Sequence, residues 1–228
     1  FQKFEDMVDH VDAVMVSSPT DTHHRITRFF LDNQKDVMVE KPFAIDLEQA
    51  DEMRELAKKN KLVLAVGHIE RFNPAVQYIN SLVETPLFIE IQRLGSFSPR
   101  SLDVDVIMDL MIHDLDIVAT LVGSEVDSME AIGVPVLTEK VDIANARLRF
   151  ASGCVANLTA SRISQKKIRK LRIWERQRYV SVDYLNQEAL SYSLVRANMG
   201  LPDIQCEDLA VEREEPLKLE LVDFLGAV

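Results

Sequence analysis

Three short apolar runs alternate with two helix-like segments at the start of this chain, and that alternation restricts the fold more than any other feature. Val11-Asp12-Ala13-Val14-Met15-Val16 reads as a buried strand. Thr20 or Asp21 can cap the helix that follows, to about Leu31. Asp36 to Glu40 is the second strand, and Asp46-Leu47-Glu48-Gln49 resembles a capping box opening a helix through Lys59. Leu62 to Val66 is the third strand. Strands interleaved with helices of this length predict a parallel sheet with right-handed crossovers.

After Gly67 the pattern changes. Asn73-Pro74 supplies a cap and a first-turn proline for a helix to about Val83. Pro86 to Leu94 alternates as a strand, and Asp105 to Leu121 has helical periodicity. Val126 to Val134, Ile143 to Phe150, Val155 to Ile163, Ile168 to Trp174 and Tyr179 to Leu185 then follow as strands. Short turns such as Ala151-Ser152-Gly153 join them, so an antiparallel sheet is expected. The fold class is therefore α/β followed by α+β, with one domain over residues 1–70 and a second over 71–228.

Composition removes several function classes. A net charge of −11 argues against nucleic acid as the main partner. No apolar stretch approaches the roughly 20 residues of a membrane span, and the first residues are not a signal peptide. Cys154 and Cys206 form no motif, so reduced thiols and a cytoplasmic location are expected. The chain starts at Phe1 and stops within a helix-like segment, Pro216 to Val228, and both ends read as cut.

Four segments and a basic cluster carry residues capable of chemistry. Val37-Met38-Val39-Glu40-Lys41-Pro42 is a strand stopped by an acid, a lysine and a proline. Proline cannot donate to a sheet ladder, so Lys41 should sit at the strand tip, where ligands bind in open α/β sheets. Lysine there can give or take a proton, although a charged turn is an equally ordinary use of such residues. On the helix from Asp105, a turn of about 100° per residue puts Asp105, Asp109, His113 and Asp116 on one stripe. Asp109 and His113 are then i, i+4 neighbours, so the carboxylate can orient the imidazole for acid–base work. A solvated helix face explains the same stripe; a metal site would lack a cysteine or second histidine nearby, and no metal is expected. Ser17-Ser18-Pro19-Thr20-Asp21-Thr22-His23-His24 follows the first strand, where helix-end N–H groups can meet a dinucleotide or simply form a capped turn. Gly67-His68-Ile69-Glu70-Arg71-Phe72-Asn73-Pro74 brings His, Glu and Arg to the third strand tip. Arg162, Lys166, Lys167, Arg169, Lys170 and Arg172 can meet an anionic substrate such as a sugar nucleotide diphosphate, although a solvated strand face or a subunit contact is the commoner use.

In order and spacing, Ser18-Pro19-x-x-x-His23, Glu40-Lys41-Pro42, Gly67-x-x-x-Arg71-Phe72-x-Pro74 and Asp109-x-x-x-His113-x-x-Asp116 resemble the Gfo/Idh/MocA oxidoreductases over nearly the whole chain. The resemblance implies an N-terminal Rossmann domain and a C-terminal α/β domain whose open sheet often forms the subunit interface. It implies hydride transfer to NAD or NADP from a secondary hydroxyl of a sugar or sugar nucleotide. It makes Lys41, Asp109 and His113 the catalytic group, with Lys41 on the reacting oxygen and His113, held by Asp109, exchanging the hydroxyl proton. The base is assigned to lysine in some members and to histidine in others. Ser18, Pro19, His23, Glu40, Lys41 and Pro42 fall at cofactor positions, and Arg71, His113 and Asp116 at substrate positions. A homo-oligomer through the C-terminal sheet is also implied.

The chain departs from the family pattern in two ways. Leu102 to Met108 and Met111 stand where many members have glycines. The stretches 67–74, 101–105 and 157–162 are most similar to a subgroup that oxidises the 3-hydroxyl of UDP-N-acetylglucosamine with NAD. Second, no Gly-x-Gly-x-x-Gly occurs in the 228 residues, and no acid follows such a loop to hold a ribose. The expectation is a partial Rossmann sheet lacking its first βαβ unit, truncated at both ends and binding NAD poorly. The alternatives are a non-catalytic sugar-binding or assembly relative, a truncated inactive fragment, or a metal-dependent hydrolase or isomerase using Asp109, His113 and Asp116.

Overall fold

The structure, a computed structural model, describes residues 1–98, 104–196 and 202–228. They gather into two compact units, Phe1–Ile69 with Leu217–Val228, and Glu70–Pro216. The Ser101-Leu102-Asp103 part of the subgroup resemblance lies outside the described residues.

In the first unit, β1 (Ala13–Val16), β2 (Asp36–Glu40) and β3 (Leu64–Gly67) form a parallel sheet in the order β1-β2-β3, with α1 (Thr20–Asp32) and α2 (Leu47–Asn60) as crossovers. The middle strand is covered on both faces, which is why Val37, Met38 and Val39 form an unbroken apolar run rather than an alternating one. Val14, Val16, Phe30, Leu31, Val37, Val39, Met53 and Ala57 make the core. The Asp46 carboxylate caps α2, accepting from Gln49 N–H at 2.8 Å. Neither Thr20 nor Asp21 caps α1, contrary to expectation. Pro19 holds that place, and Thr22 Oγ1 donates back to the Pro19 carbonyl at 2.7 Å.

The second unit opens with α3 (Pro74–Leu82), whose first turn is capped by the Asn73 side chain. It continues with β4 (Phe88–Leu94), a π turn over Ile107–Met111, and α4 (Ile112–Val122). The remaining strands are β5 (Val126–Val134), β6 (Ile143–Phe150), β7 (Val155–Ser161), β8 (Ile168–Trp174), β9 (Arg178–Asp183), β10 (Glu188–Arg196) and β11 (Pro202–Leu209). With β4 they form an eight-stranded sheet in the order β11-β10-β9-β8-β4-β7-β6-β5. All neighbours are antiparallel except β4 with β7, so the mostly antiparallel open sheet is as expected.

Only one face of this sheet carries the core, with Ile89, Ile91, Leu158, Leu171, Ile173, Val180 and Val182 buried against α3, α4 and the π turn. On the other face Phe88, Trp174, Tyr179 and Tyr192 stand in register across four strands, with ring centroids 5.1 to 5.4 Å apart. Strands β10 and β11 were not anticipated. In β10 the large residues Leu190, Tyr192 and Leu194 alternate with buried Ala189 and Ser191, so its apolar side chains face away from the core. The last helix, α5 (Pro216–Ala227), clusters from Leu217 onward with the first unit, whereas the sequence ran the second domain through to Val228.

Candidate active site

In the first unit the candidate residues meet at the carboxyl ends of β1, β2 and β3. His23, 1 % exposed on α1, has Nδ1 2.8 Å from the Pro42 carbonyl oxygen and Nε2 2.8 Å from that of Ser18. Both ring nitrogens are thus committed to backbone, and the ring ties the β1 tip to the turn after Lys41. The Ser18 hydroxyl is likewise engaged, 2.6 Å from Thr22 Oγ1. Glu40 Oε2 accepts from the Lys41 backbone N–H at 3.2 Å, and its carboxyl lies flat against Gly67. A Cβ at residue 67 would come within 3.0 Å of Glu40 Cδ and Oε2 and 3.2 Å of its Cα, so a side chain there would displace the Glu40 carboxyl. The peptide bond between Lys41 and Pro42 is cis.

In the second unit, Asp109 belongs to the π turn and His113 to the first turn of α4. The Ile112 N–H reaches back five residues to the Ile107 carbonyl. A turn this wide breaks the even angular step across Ile107–Met111, so the predicted four-residue stripe is not one continuous helix face. Asp105 leaves it altogether, because its Oδ1 caps the turn by accepting from Ile107 and Met108 N–H at 3.0 and 2.9 Å. His113 is buried and Asp109 is half-buried. Arg71 and Asp116 bind each other through two parallel bonds, Nε to Oδ2 at 2.7 Å and Nη2 to Oδ1 at 2.5 Å. That pair ties α4 to the segment before α3, with the arginine side chain 56 % exposed and the aspartate 11 %. The bond to Asp116 is the main cause that holds the Arg71 pKa above its ordinary value.

Beneath α4 lies a buried charged cluster whose pairing sequence patterning did not anticipate. Asp114 Oδ1 accepts from Arg93 Nε at 3.0 Å and from Tyr184 Oη at 2.8 Å. Arg93 Nη1 and Arg169 Nη1 both donate to Glu70 Oε1, at 3.0 and 3.2 Å. Asn73 Nδ2 bridges Glu70 Oε2 and the Tyr184 carbonyl. Burial works against charge on Asp114 and on Arg93 alike; the attraction of Asp114, Glu70 and Tyr184 outweighs it and holds Arg93 above its ordinary value. With two donors on one oxygen, Asp114 belongs with Arg93 as a charged pair. In the sequence Glu70 reads as a polar residue of the third strand tip, and Asp114 has no assigned role. The available signal was their position one residue away from Arg71 and His113.

The basic cluster divides. Arg162 is structural, its Nε 2.8 Å from Asp142 Oδ1 and its Nη1 2.8 Å from the Val104 carbonyl oxygen. Arg172 pairs with Glu90 on the open face of the sheet. Arg169 stands opposite Arg93 on the covered face. Lys166 and Lys167 are exposed in the loop before β8. In the first unit Glu220 on α5 is a further group the sequence did not flag. It is 2 % exposed, and neither carboxylate oxygen has a hydrogen-bond partner among the described residues. Burial and the nearby charge of Glu40 push its pKa up to about 7.

A parallel αβ unit and an eight-stranded sheet backed by helices are the architecture that the sequence resemblance implies. Residues 1–68 match the oxidoreductase family with an NAD-binding Rossmann fold, and residues 85–178 match the GFO/IDH/MocA C-terminal domain. UDP-N-acetylglucosamine 3-dehydrogenase of Acidithiobacillus ferrooxidans is 40 % identical, over 100 % of this chain and 74 % of that protein. A solved structure of a UDP-N-acetylglucosamine 3-dehydrogenase from that organism superposes with a TM-score of 0.92 at 39 % identity, over 100 % of this chain and 73 % of that one. Myo-inositol 2-dehydrogenase of Thermotoga maritima is 31 % identical over 67 % of this chain and 50 % of its own length. Levoglucosan dehydrogenase, solved with NADH and levoglucosan, shares the fold with a TM-score of 0.85 at 18 % identity, over 100 % of this chain and 74 % of that one. The chain belongs to the Gfo/Idh/MocA oxidoreductase family. Among the described residues no helix is long and apolar enough to cross a membrane.

Proposed function

We propose that this protein oxidises the 3-hydroxyl of UDP-N-acetylglucosamine, with NAD as hydride acceptor. The observation that carries this reading is the 40 % identity, spread over the whole chain, with a dehydrogenase of that name. The residues present fit the nicotinamide end of a dinucleotide. The α1 N-terminus, the Lys41 turn and Gly67 all stand at the carboxyl ends of parallel strands, and His23 clasps two of those tips together. A glycine-rich pyrophosphate loop does not occur in the 228 residues. The bound cofactor supplies the acceptor for the hydride. With that acceptor bound, Lys41 would hold the reacting oxygen and His113, oriented by Asp109, would take the hydroxyl proton. Arg71 and Asp116, locked to each other, set the position of α4 and present the exposed guanidinium edge to the sugar.

The same reading makes the protein a homo-oligomer through the open face of its large sheet. Support comes from the aromatic row Phe88, Trp174, Tyr179 and Tyr192, and from exposed Ile132, Leu194 and Ile204. Free Cys154 and Cys206 suit a reducing, cytoplasmic setting. The test is the protein expressed from its natural reading frame, assayed for NADH formation with UDP-N-acetylglucosamine, myo-inositol and free N-acetylglucosamine. Formation of the 3-keto sugar nucleotide is expected. Turnover of the neutral sugars alone overturns the substrate.

A further inference from the structure

We propose that a cavity of about 210 Å³ beside the π turn is a binding site for a diphosphate group. The cavity is lined by Arg93, Leu94, Gly95, Ser96, Leu110, Lys167 and Arg169. In a chain of net charge −11, it presents three cations and, among the described residues, no acid. Two of those cations, Arg93 and Arg169, stand directly opposite each other on β4 and β8. Like charges paired across strands repel, so the arrangement needs compensation.

The compensation is only partial. Glu70 accepts from both arginines, and Asp114 accepts from Arg93. Three cations against these two carboxylates leave a positive excess at the cavity. Arg93 is consumed by its partners, with a side chain only 3 % exposed. Arg169 is different. Its side chain is 31 % exposed, and one Nη1 bond to Glu70 leaves its Nε and Nη2 without partners among the described residues. Lys167 is exposed and meets no carboxylate among them. A guanidinium edge with an ammonium beside it is the donor set that phosphate oxygens take. A buried anchor beneath fixes that edge in place.

Position adds the chemical identity. Leu110, on the cavity wall, directly follows Asp109 in the π turn. The inference rests on the proposed sugar-nucleotide substrate, in which the diphosphate is attached at C1, two ring carbons from the reacting C3. An anion site walled by the π turn that also carries Asp109 suits a substrate whose charge lies near its reacting hydroxyl. Lys167 and Arg169 would then be the substrate's phosphate contacts, with Arg93 and Glu70 as positioning residues.

Calorimetric titration of the whole protein with UDP, inorganic pyrophosphate and uridine tests the site without depending on turnover. UDP and pyrophosphate should bind, uridine at least ten-fold more weakly than UDP, and higher salt should weaken the first two. Lys167→Glu, at an exposed side chain that no acid holds, should lower UDP affinity at least ten-fold with the melting temperature unchanged. Arg169→Lys, which keeps the charge and the pairing to Glu70 within reach, should lower it several-fold. Equal binding of UDP and uridine, or UDP affinity within two-fold of wild type in both variants, overturns the cavity. The two proposals fail separately. UDP-N-acetylglucosamine oxidised with a KM untouched by Lys167→Glu overturns the cavity and leaves the substrate standing. Turnover of neutral sugars alone, with UDP binding that Lys167→Glu abolishes, supports the cavity and overturns the substrate.

Discussion

Arg93 and Asp114 form an ion pair sealed beneath the helix that carries His113, with Nη2 2.9 Å from Oδ1 and side chains only 3 % and 0 % exposed. Tyr184 places its ring 5.1 Å below the guanidinium carbon and donates its hydroxyl to the same carboxylate. The sheet strand β4 and helix α4 are thereby fixed to each other by charge as well as by apolar packing. Removing one partner strands a buried charge.

That geometry sets the first expectation. Asp114→Ala or Arg93→Met should each cost about 3–5 kcal/mol in urea denaturation, the range for breaking a buried pair. Joining Arg93→Met with Asp114→Ala should cost less than the two single losses added together. Single losses under about 1 kcal/mol would show that the pair is not charged.

Lys41→Ala and His113→Ala should each reduce kcat by at least about 100-fold, in line with the loss of a proton-transfer group, with the fold retained by circular dichroism. Asp109→Asn should shift the pH profile of kcat, because on the proposed assignment it removes the carboxylate that orients the imidazole. Arg71→Ala should raise KM more than it lowers kcat, since it frees Asp116 and removes an exposed cation. Full activity in both the Lys41 and His113 variants would sink the assignment.

Glu220 predicts a pH effect on stability. Its folded pKa stands raised at about 7 against an ordinary 4.5, so the folded state holds the proton more tightly than the unfolded chain does. Ionising it costs the folded state nothing below pH 4.5, and the cost grows as pH rises to about 7 and is then complete. Glu220→Gln should therefore gain about 2 kcal/mol relative to wild type between pH 5 and pH 8, by the linkage relation. Parallel stability curves for the two proteins over that range would refute a shifted Glu220.

Thiol titration separates the cysteines. Cys154 is buried and its thiol is pushed up to about 11 by desolvation, while Cys206 is exposed. One thiol per chain should react with a disulfide reagent at pH 8 in the native state and two in denaturant. Fast reaction of both under native conditions would place Cys154 outside the core.

Asp142 should act as the knot of the loop between β5 and β6. It accepts from the Val136, Leu137 and Thr138 amides and from Arg162, bonds that hold its carboxyl below the usual range against the opposing effect of burial. Asp142→Ala should speed hydrogen exchange at those three amides selectively. Unchanged protection there would show that the loop is held by other contacts.

Local chemistry made much of this legible in advance. The boundaries of β2, α2 and α3 follow from Pro42, the Asp46 cap and Asn73-Pro74, because caps and prolines act within one turn of chain. Motif spacing is likewise what puts Lys41, Asp109 and His113 forward as the proposed catalytic group. The π turn was illegible, since a constant angular step cannot register one wider turn, and so Asp105 entered the predicted stripe although it caps the helix. Strand β10 was missed because its large residues face the open side of the sheet.

By itself, then, the sequence determined the alternation of strands and helices, the family motifs and which residues are candidates for moving a proton. Those are properties of neighbours along the chain. Tertiary structure alone decided what each polar residue was for. It made His23 a clasp between two strand tips, paired Arg71 with Asp116, and buried Glu70 and Asp114 against the arginines of β4 and β8. The physical reason is that the use of a charge depends on which partner reaches it across the fold and how much water is left beside it, and neither is written in local sequence.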